Sequence, residues 1–305
     1  MSVGSQGPAR HPSSLIERAA ELYDFGTALR QLPVVEPEAP APNAVHTTLS
    51  ALEQVVARPA PQPGMVHMLN RETLRRDGFI DPDSPPTSLS EEFRIVKRQL
   101  LAQANAPGAT ARDRLVLVNS AHPGDGKTWI SINLALSLSA ERESEILLVD
   151  GDFGKPSVAA QMGLPDGPGF MDALADPTID VADLILRTDM PSLSVLRAGR
   201  QINNDTEMLA SDRTRAALDS LVEGHPRRIV LFDSPPALAA SAASELARHV
   251  GMVLLVVRAD RTSDVALRDA AHLLSACANI QAVLNGVKFS SSGRLFGAYY
   301  KKRGG

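Results

Sequence analysis

The sequence has few of the residues that mark secreted, zinc-binding or membrane-spanning proteins. Cys277 is the only cysteine among 305 residues, so a disulfide framework and a cysteine-based metal site are excluded, which favours a reducing compartment. No apolar run approaches the roughly 18 residues needed to cross a bilayer, and Gly251–Val257 is far too short. The first ten residues lack the apolar core of a signal peptide. We therefore expect a cytoplasmic protein that reaches a membrane only through a partner.

The charge balance excludes another class of function. The formal net charge is −4, which argues against nucleic acid as the main partner. Apolar residues make up 44% of the chain, so a core of ordinary size is available.

One short stretch predicts a specific chemistry. The apolar run Leu115–Val118 is followed by the loop Ala121–Thr128, which ends in Gly-Lys-Thr, and then by an apolar segment over residues 130–138. This order of strand, glycine-bearing loop and helix is typical of a phosphate-binding loop. Gly124 and Gly126 allow the backbone to curl so that its N–H groups point at phosphate oxygens. The sequence therefore predicts nucleotide binding.

The side chains at the end of this loop have predictable roles. Lys127 is placed to reach the β- and γ-phosphates, and the Thr128 hydroxyl is a candidate Mg²⁺ ligand. Asn285 ends the last predicted strand, where either a hydrogen bond to a base edge or a turn with Gly286 fits. The residues predicted to bind the nucleotide are Pro123, Gly124, Asp125, Gly126, Lys127, Thr128, Trp129 and Asn285.

The remainder of the chain predicts an α/β fold. From residue 114 onward short apolar runs alternate with helical patterns, which is typical of a P-loop NTPase-type parallel sheet with helices on both faces. Helices are expected over Glu207–Glu223 and Ser263–Ala278. The strands are expected at Leu115–Asn119, Ile146–Val149, Leu193–Leu196, Ile229–Phe232, Met252–Val257 and Gln281–Leu284.

The two ends of the chain differ in composition from its middle. Residues 1–85 contain proline clusters at 33–42 and 59–63, which predict extended and largely flexible linkers around a helix over Ser14–Leu29. That helix either docks on a partner or folds onto its own domain. We place the nucleotide-binding domain at residues 86–288 and expect a flexible basic tail at 289–305.

A second helix, Ser88–Ala104, carries charged residues at regular spacing. Glu91, Arg94 and Lys97 recur every three residues, beside an apolar stripe that includes Phe93. Two interpretations stay open from the spacing alone: a solvated face with local ion pairs, or a charged contact between subunits.

Three aspartates follow predicted strands. Asp150 and Asp152 come after Ile146–Val149, and Asp233 comes after Ile229–Phe232. Ligands of open α/β sheets bind at the carboxyl ends of strands, so these carboxylates are expected near Lys127. The candidate Mg²⁺ ligands are Thr128, Asp150, Asp152 and Asp233. The catalytic candidates are Lys127, Asp150 and Asp152, with Asp150 as the candidate base for an incoming hydroxyl.

These motifs together resemble the bacterial tyrosine kinase family, the P-loop autokinases of capsule and exopolysaccharide assembly. The shared features are the loop Ala121–Thr128, the Asp-x-Asp of residues 150–152 with Pro156, and the Asp-Ser-Pro-Pro of residues 233–236. Ser14–Leu29 and Gly78–Asp83 resemble segments of the cytosolic subgroup encoded with exosortase-linked polysaccharide loci.

The resemblance implies an ATP- and Mg²⁺-dependent protein-tyrosine autokinase that regulates exopolysaccharide polymerisation or export. It implies that Tyr299 and Tyr300, two of three tyrosines, are phosphorylated in a neighbouring subunit's active site. It also implies a ring assembled through Glu91, Arg94 and Lys97, and a membrane polysaccharide chain-length determinant protein as partner. The alternative is a positioning or partitioning ATPase of the deviant P-loop class, although the extra lysine of that class is absent from residues 121–124.

Overall fold

The computed structural model describes residues 64–141 and 143–287. Their backbone builds an eight-stranded sheet with strand order β1-β4-β5-β3-β6-β2-β7-β8. The strands are Val66–His67 (β1), Leu115–Ser120 (β2), Glu145–Asp150 (β3), Leu186–Thr188 (β4), Leu193–Leu196 (β5), Arg228–Asp233 (β6), Met252–Arg258 (β7) and Ile280–Asn285 (β8). From β5 to β8 all neighbouring strands pair in parallel.

Helices cover both faces of this sheet. They are Arg71–Arg76 (α1), Ser88–Ala104 (α2), Lys127–Ser139 (α3), Val158–Gln161 (α4), Phe170–Ala175 (α5), Asp205–Leu209 (α6), Asp212–Val222 (α7), Ala242–Ala247 (α8) and Asp264–Leu273 (α9). Two short 3₁₀ turns, Ala111–Arg114 and Val181–Leu184, complete the regular elements of the described residues. The confirmed class is therefore an α/β sheet enclosed by helices.

Alternation of side chains along the central strands divides the core into two layers. Leu115 and Leu117 of β2 pack with the helices α5 to α9, whereas Val116 and Val118 pack with α1, α2 and α3. All four are at most 3% exposed. A strand buried on both faces needs apolar residues at every position, which is why these strands are continuous apolar runs in the sequence.

The six predicted strands are confirmed within one residue at each end, and α2 has the predicted bounds. The sheet is not wholly parallel, however, because β4 runs antiparallel to β5 and pairs with β1. Neither β1 nor β4 is predicted from the sequence. With two and three residues, they are too short to show a periodic pattern.

Two helix predictions are corrected. The segment Glu207–Glu223 is two helices, since Ser211 caps α7 by accepting a hydrogen bond from the Thr214 N–H. The last predicted helix ends at Leu273 rather than at Ala278.

The predicted domain boundary at residue 86 is wrong, because the fold begins earlier. Leu74 and Phe79 are buried in the α2–α3 layer of the core. The Ile80 N–H donates to the Asn133 side chain of α3 at 2.7 Å, and Arg71 pairs with Asp189 after β4 at 3.0 Å. Residues from Val66 onward are therefore part of the folded unit.

Several predictions fall on other parts of the chain. The helix Ser14–Leu29, both proline clusters, Tyr299 and Tyr300 lie outside the described residues and stay predictions. Within residues 64–141 and 143–287, no helix has the length and apolarity required to cross a membrane.

Candidate functional site

The carboxyl edge of the parallel strands gathers the predicted polar residues. Strand β2 leads directly into the loop Ala121–Gly126, and α3 starts at Lys127. Strands β3 and β6 pair so that Asp150 lies opposite Asp233 at their shared end. Because β6 also pairs with β2, these carboxylates lie beside the loop on one edge of the sheet.

Glycine is required at two positions of the loop. Gly124 and Gly126 have φ angles of 82° and 100°, a region that L-residues with a Cβ rarely occupy. A Cβ on Gly126 would lie 2.2 Å from Nδ2 of Asn285. That amide donates a hydrogen bond to the Asp125 carbonyl at 2.9 Å, so the end of β8 supports the loop backbone directly.

The loop is also held by its own aspartate. Asp125 is fully buried, and its Oδ2 accepts a hydrogen bond from the His122 N–H at 3.0 Å. The Thr262 hydroxyl, from the segment after β7, donates to the same oxygen at 3.3 Å. These contacts fix the curl of the loop before any phosphate binds.

At the start of α3, the predicted side chains meet the predicted carboxylates. Lys127 Nζ lies 3.0 Å from Asp152 Oδ2, and the Thr128 hydroxyl donates to Asp233 Oδ2 at 2.7 Å. Ser131, which the sequence interpretation missed, donates to Asp233 Oδ1 at 3.0 Å. Its signal was available, since a residue three positions after Thr128 lies on the same side of a helix.

The environment of these carboxylates perturbs their protonation. Burial raises the pKa of Asp233 to about 7, against the lowering effect of Lys127 and of the hydrogen bond from Thr128. Burial also raises the pKa of Asp150 to about 6, although backbone hydrogen bonds oppose the shift. A charge that loses its water without a full partner is costly, so this cluster favours a bound cation.

Asp150 is committed to the backbone that follows β3. Its Oδ2 accepts hydrogen bonds from the Ser157 and Val158 N–H groups at 2.8 and 2.9 Å. Its Oδ1 accepts one from the Asp152 N–H at 3.3 Å. The side chain therefore shapes the segment that carries Asp152.

The side chains of this cluster suit a magnesium ion that is bound together with a nucleotide. Within the described part of the chain, no group of three or more His, Cys, Asp or Glu side chains is arranged to hold a metal alone. Mg²⁺ is usually held by one or two carboxylates together with waters and substrate phosphates. Thr128, Asp152 and Asp233 supply hard oxygen ligands of this kind beside a phosphate-binding loop, so the residues suit a metal that arrives with a nucleotide.

Trp129 packs away from the loop, against α2. Its ring meets Phe93 edge-on, with centroids 5.8 Å apart and an interplanar angle of 63°. The predicted nucleotide contact of Trp129 would therefore have to come from its backbone.

The charged face of α2 differs from the sequence interpretation. Glu91 and Arg94 form an ion pair near the surface, which keeps them available at one side of the helix. Lys97 instead is 8% exposed, donates to the Ser137 carbonyl at 3.0 Å and pairs with Glu141 at 2.6 Å. Because Lys97 binds the end of α3 within the chain, its grouping with an exposed subunit contact is corrected.

The chain is similar in sequence to proteins that carry tyrosine-protein kinase names. CapB of Staphylococcus aureus is 27% identical over 205 residues, which cover 67% of this chain and 86% of CapB. YwqD of Bacillus subtilis is 25% identical over 72% of this chain and 91% of its own length. EpsB of Ralstonia nicotianae is 30% identical over 69% of this chain, which spans only 26% of that longer relative.

Solved structures with the same fold carry related names. The kinase domain of Escherichia coli tyrosine kinase ETK superposes with a TM-score of 0.59 at 24% identity, over 76% of this chain and 92% of that domain. The VpsO kinase domain gives a TM-score of 0.52 at 29% identity, over 65% of this chain and 98% of that domain. No model of a known protein family matches the chain. In sequence and in fold, the chain is therefore similar to bacterial tyrosine-protein kinases.

Proposed function

We propose that the chain is an ATP-dependent protein-tyrosine autokinase that phosphorylates its own C-terminal tyrosines in trans and regulates exopolysaccharide polymerisation or export. One observation supports this most strongly. The cation of the phosphate-binding loop, Lys127, lies 3.0 Å from Asp152, the aspartate where a catalytic carboxylate is needed. Phosphoryl transfer depends on positioning and charge stabilisation, and this pair supplies a group for each.

Lys127 is the residue that stabilises the terminal phosphates. When ATP enters the loop, its phosphate oxygens compete with Asp152 for the ammonium group, and the exchange frees that carboxylate. Mg²⁺, held by Thr128, Asp233 and the phosphates, would supply charge neutralisation of the β- and γ-oxygens. The buried Asp233 carboxylate, with its raised pKa, gains most from this neutralisation.

Asp152 is a better candidate for the base than Asp150. Both oxygens of Asp150 accept backbone hydrogen bonds and the residue is 1% exposed, so an incoming phenol has no route to it. Asp152 is adjacent to Lys127, and its Oδ2 becomes available once that ion pair opens. We assign Asp150 to positioning and Asp152 to proton acceptance from the tyrosine hydroxyl.

Tyr299 and Tyr300 are the proposed acceptors. They are adjacent in sequence, and they follow a segment rich in serine and glycine. Such a tether raises the local concentration of the phenol at a neighbouring active site. A ring of subunits that present their tails to each other would use the surface pair Glu91 and Arg94 of α2.

The remaining parts of the proposal concern location. We propose a cytoplasmic protein that meets the inner membrane through a polysaccharide chain-length determinant protein. This follows the family resemblance and the lack of a membrane-spanning helix among the described residues.

The test is incubation of the purified full chain with ATP and Mg²⁺, followed by mass spectrometry of the tail. Phosphate on tyrosine in the wild type, lost in Lys127→Met and in the double variant Tyr299→Phe/Tyr300→Phe, is the expected result. Lys127→Met should abolish ATP turnover, whereas the tyrosine variant should still bind MgADP. Release of inorganic phosphate without tyrosine labelling would replace this proposal with a positioning-type ATPase.

A further inference from the structure

A second cation lies against the phosphate-binding loop, on the side opposite Lys127. The segment Ala259–Ser263 between β7 and α9 packs against the loop, and the Arg261 guanidinium donates to the Pro123 carbonyl at 3.5 Å. A Cβ placed on Gly124 would lie 3.2 Å from Nη1 of Arg261. The guanidinium therefore covers the glycine that shapes the loop.

The backbone around Arg261 is held in an unusual conformation. Asp260 has a φ of 60° and is the one non-glycine residue with positive φ within residues 64–141 and 143–287. This conformation costs about 1–2 kcal/mol for an L-residue, so it persists where other contacts enforce it. Here Thr262 enforces it from the other side, since its hydroxyl accepts the Arg258 N–H at 2.9 Å and donates to Asp125 at 3.3 Å.

Arg261 has unused binding capacity. Its side chain is exposed, and among the residues that the structure describes no carboxylate pairs with it. A guanidinium has five N–H donors, and the Pro123 carbonyl uses one at long distance. An arginine held beside a phosphate-binding loop without an acidic partner has the chemistry to bind phosphate in a bidentate way.

The order of the strands shows from which side Arg261 approaches the phosphate-binding loop. Lys127, Asp152 and Asp233 belong to the side of β2 that faces β6 and β3, whereas Arg261 follows β7 on the other side. The loop therefore lies between two cations. A nucleotide whose terminal phosphate meets Lys127 is flanked at its inner phosphates from the β7 side.

We propose that Arg261 is a nucleotide-binding residue that contacts the diphosphate portion common to ATP and ADP. The inference rests on the proposed ATP-dependent function and adds a residue outside the sequence motifs. The contact is to phosphate oxygens, so it is independent of the base and of the terminal phosphate.

The test is titration calorimetry of the full chain with MgADP and with magnesium pyrophosphate. Arg261→Gln should weaken both by about tenfold, which corresponds to one charge-assisted hydrogen bond. Arg261→Lys keeps the positive charge but lacks the planar pair of N–H donors, so it should recover part of the lost affinity. Arg187→Gln on β4, an exposed arginine at the far part of the sheet, makes the same charge change and should bind both ligands like the wild type.

The outcomes separate the two proposals. If the wild type binds neither MgADP nor pyrophosphate, the proposed function fails. If the wild type binds both and Arg261→Gln does so equally well, only the role of Arg261 fails. If Arg261→Gln weakens the binding of MgADP but not that of pyrophosphate, the guanidinium contacts the nucleoside, and the assignment to phosphate is overturned. Thermal denaturation of each variant establishes that the fold is intact.

Discussion

Substitution of Gly126 by alanine should destabilise the protein through two separable effects. The residue has a φ of 100°, and a non-glycine residue in the left-handed region costs about 1–2 kcal/mol. The new Cβ would also lie 2.2 Å from Asn285 Nδ2, which must move and release its hydrogen bond to Asp125. Loss of that bond costs about 1 kcal/mol, so the free energy of unfolding should fall by roughly 2–3 kcal/mol.

Gly108 offers a matched control for this substitution. Its φ of 84° is also left-handed, yet a Cβ there would meet no atom within 4 Å. Gly108→Ala therefore measures the conformational strain alone, and the difference between the two variants isolates the contact with Asn285. Urea denaturation, with the midpoint and slope fitted separately, gives both numbers.

A double variant sharpens the measurement. Asn285→Ala removes the clash together with the hydrogen bond, so adding Gly126→Ala to it should cost no more than Gly108→Ala costs in the wild type. The two sites are in contact, so their effects should be non-additive by about 1 kcal/mol. Equal losses for Gly126→Ala and Gly108→Ala in the wild-type background would refute the contact between β8 and the loop.

Three further predictions follow from other contacts. Asp152→Asn should release Lys127, tightening binding of Mg²⁺-free ADP several-fold while abolishing tyrosine phosphorylation, as calorimetry and phosphotyrosine blotting would report; unchanged phosphorylation would exclude Asp152 as the base. Burial alone would raise the pKa of Asp189, but hydrogen bonds from the Leu69 N–H and Arg71 lower it overall, so its stabilising effect is present above pH ~4 and fades at lower pH as the folded-state pKa is passed. Asp189→Asn should therefore lose about 1–2 kcal/mol of stability at pH 7, and the deficit should shrink below pH ~4; a deficit independent of pH would contradict this. Lys97→Met should lower stability without dissociating any oligomer seen by analytical ultracentrifugation, because that side chain binds α3 of its own chain.

The central strands are predictable from sequence because a strand that is buried on both faces needs an apolar residue at every position. Ile146–Val149 is apolar at each position and is bounded by polar residues, so its type and ends follow from composition alone. The short strands β1 and β4 have no such pattern. Beside their pairing, Asp189 accepts hydrogen bonds from the Leu69 N–H and from Arg71, which are more than a hundred residues away in sequence.

The candidate site likewise contains residues that a local sequence motif predicts and residues that it does not. Lys127 and Thr128 follow from a local motif whose geometry is set by its own glycines. Arg261 and Thr262 reach the loop only because β7 lies beside β2 in the sheet, and a single sequence does not reveal that neighbour.

The error at Lys97 has a geometric cause. Each residue of an α-helix advances by about 100°, so a residue six positions after Glu91 is rotated by about 120° from it. Equal spacing of three therefore does not keep three charges on one face. The lysine lies nearer the buried side, where its long apolar stem packs and its ammonium group reaches the Ser137 carbonyl near the end of α3.

The same contact shows how α2 and the nucleotide site are mechanically joined. Lys97 binds the end of α3 through Ser137 and Glu141, and Phe93 packs against Trp129 in the first turn of that helix. Two contacts, separated along α3, therefore oppose independent rotation or sliding of α2. Because α3 begins at Lys127, a subunit that contacts the outer face of α2 in the proposed ring would act on a pair of helices that leads to this lysine. The sole tryptophan of the chain lies at this junction, one residue after Thr128. Its fluorescence should therefore change when a nucleotide binds the loop and when a subunit contacts α2.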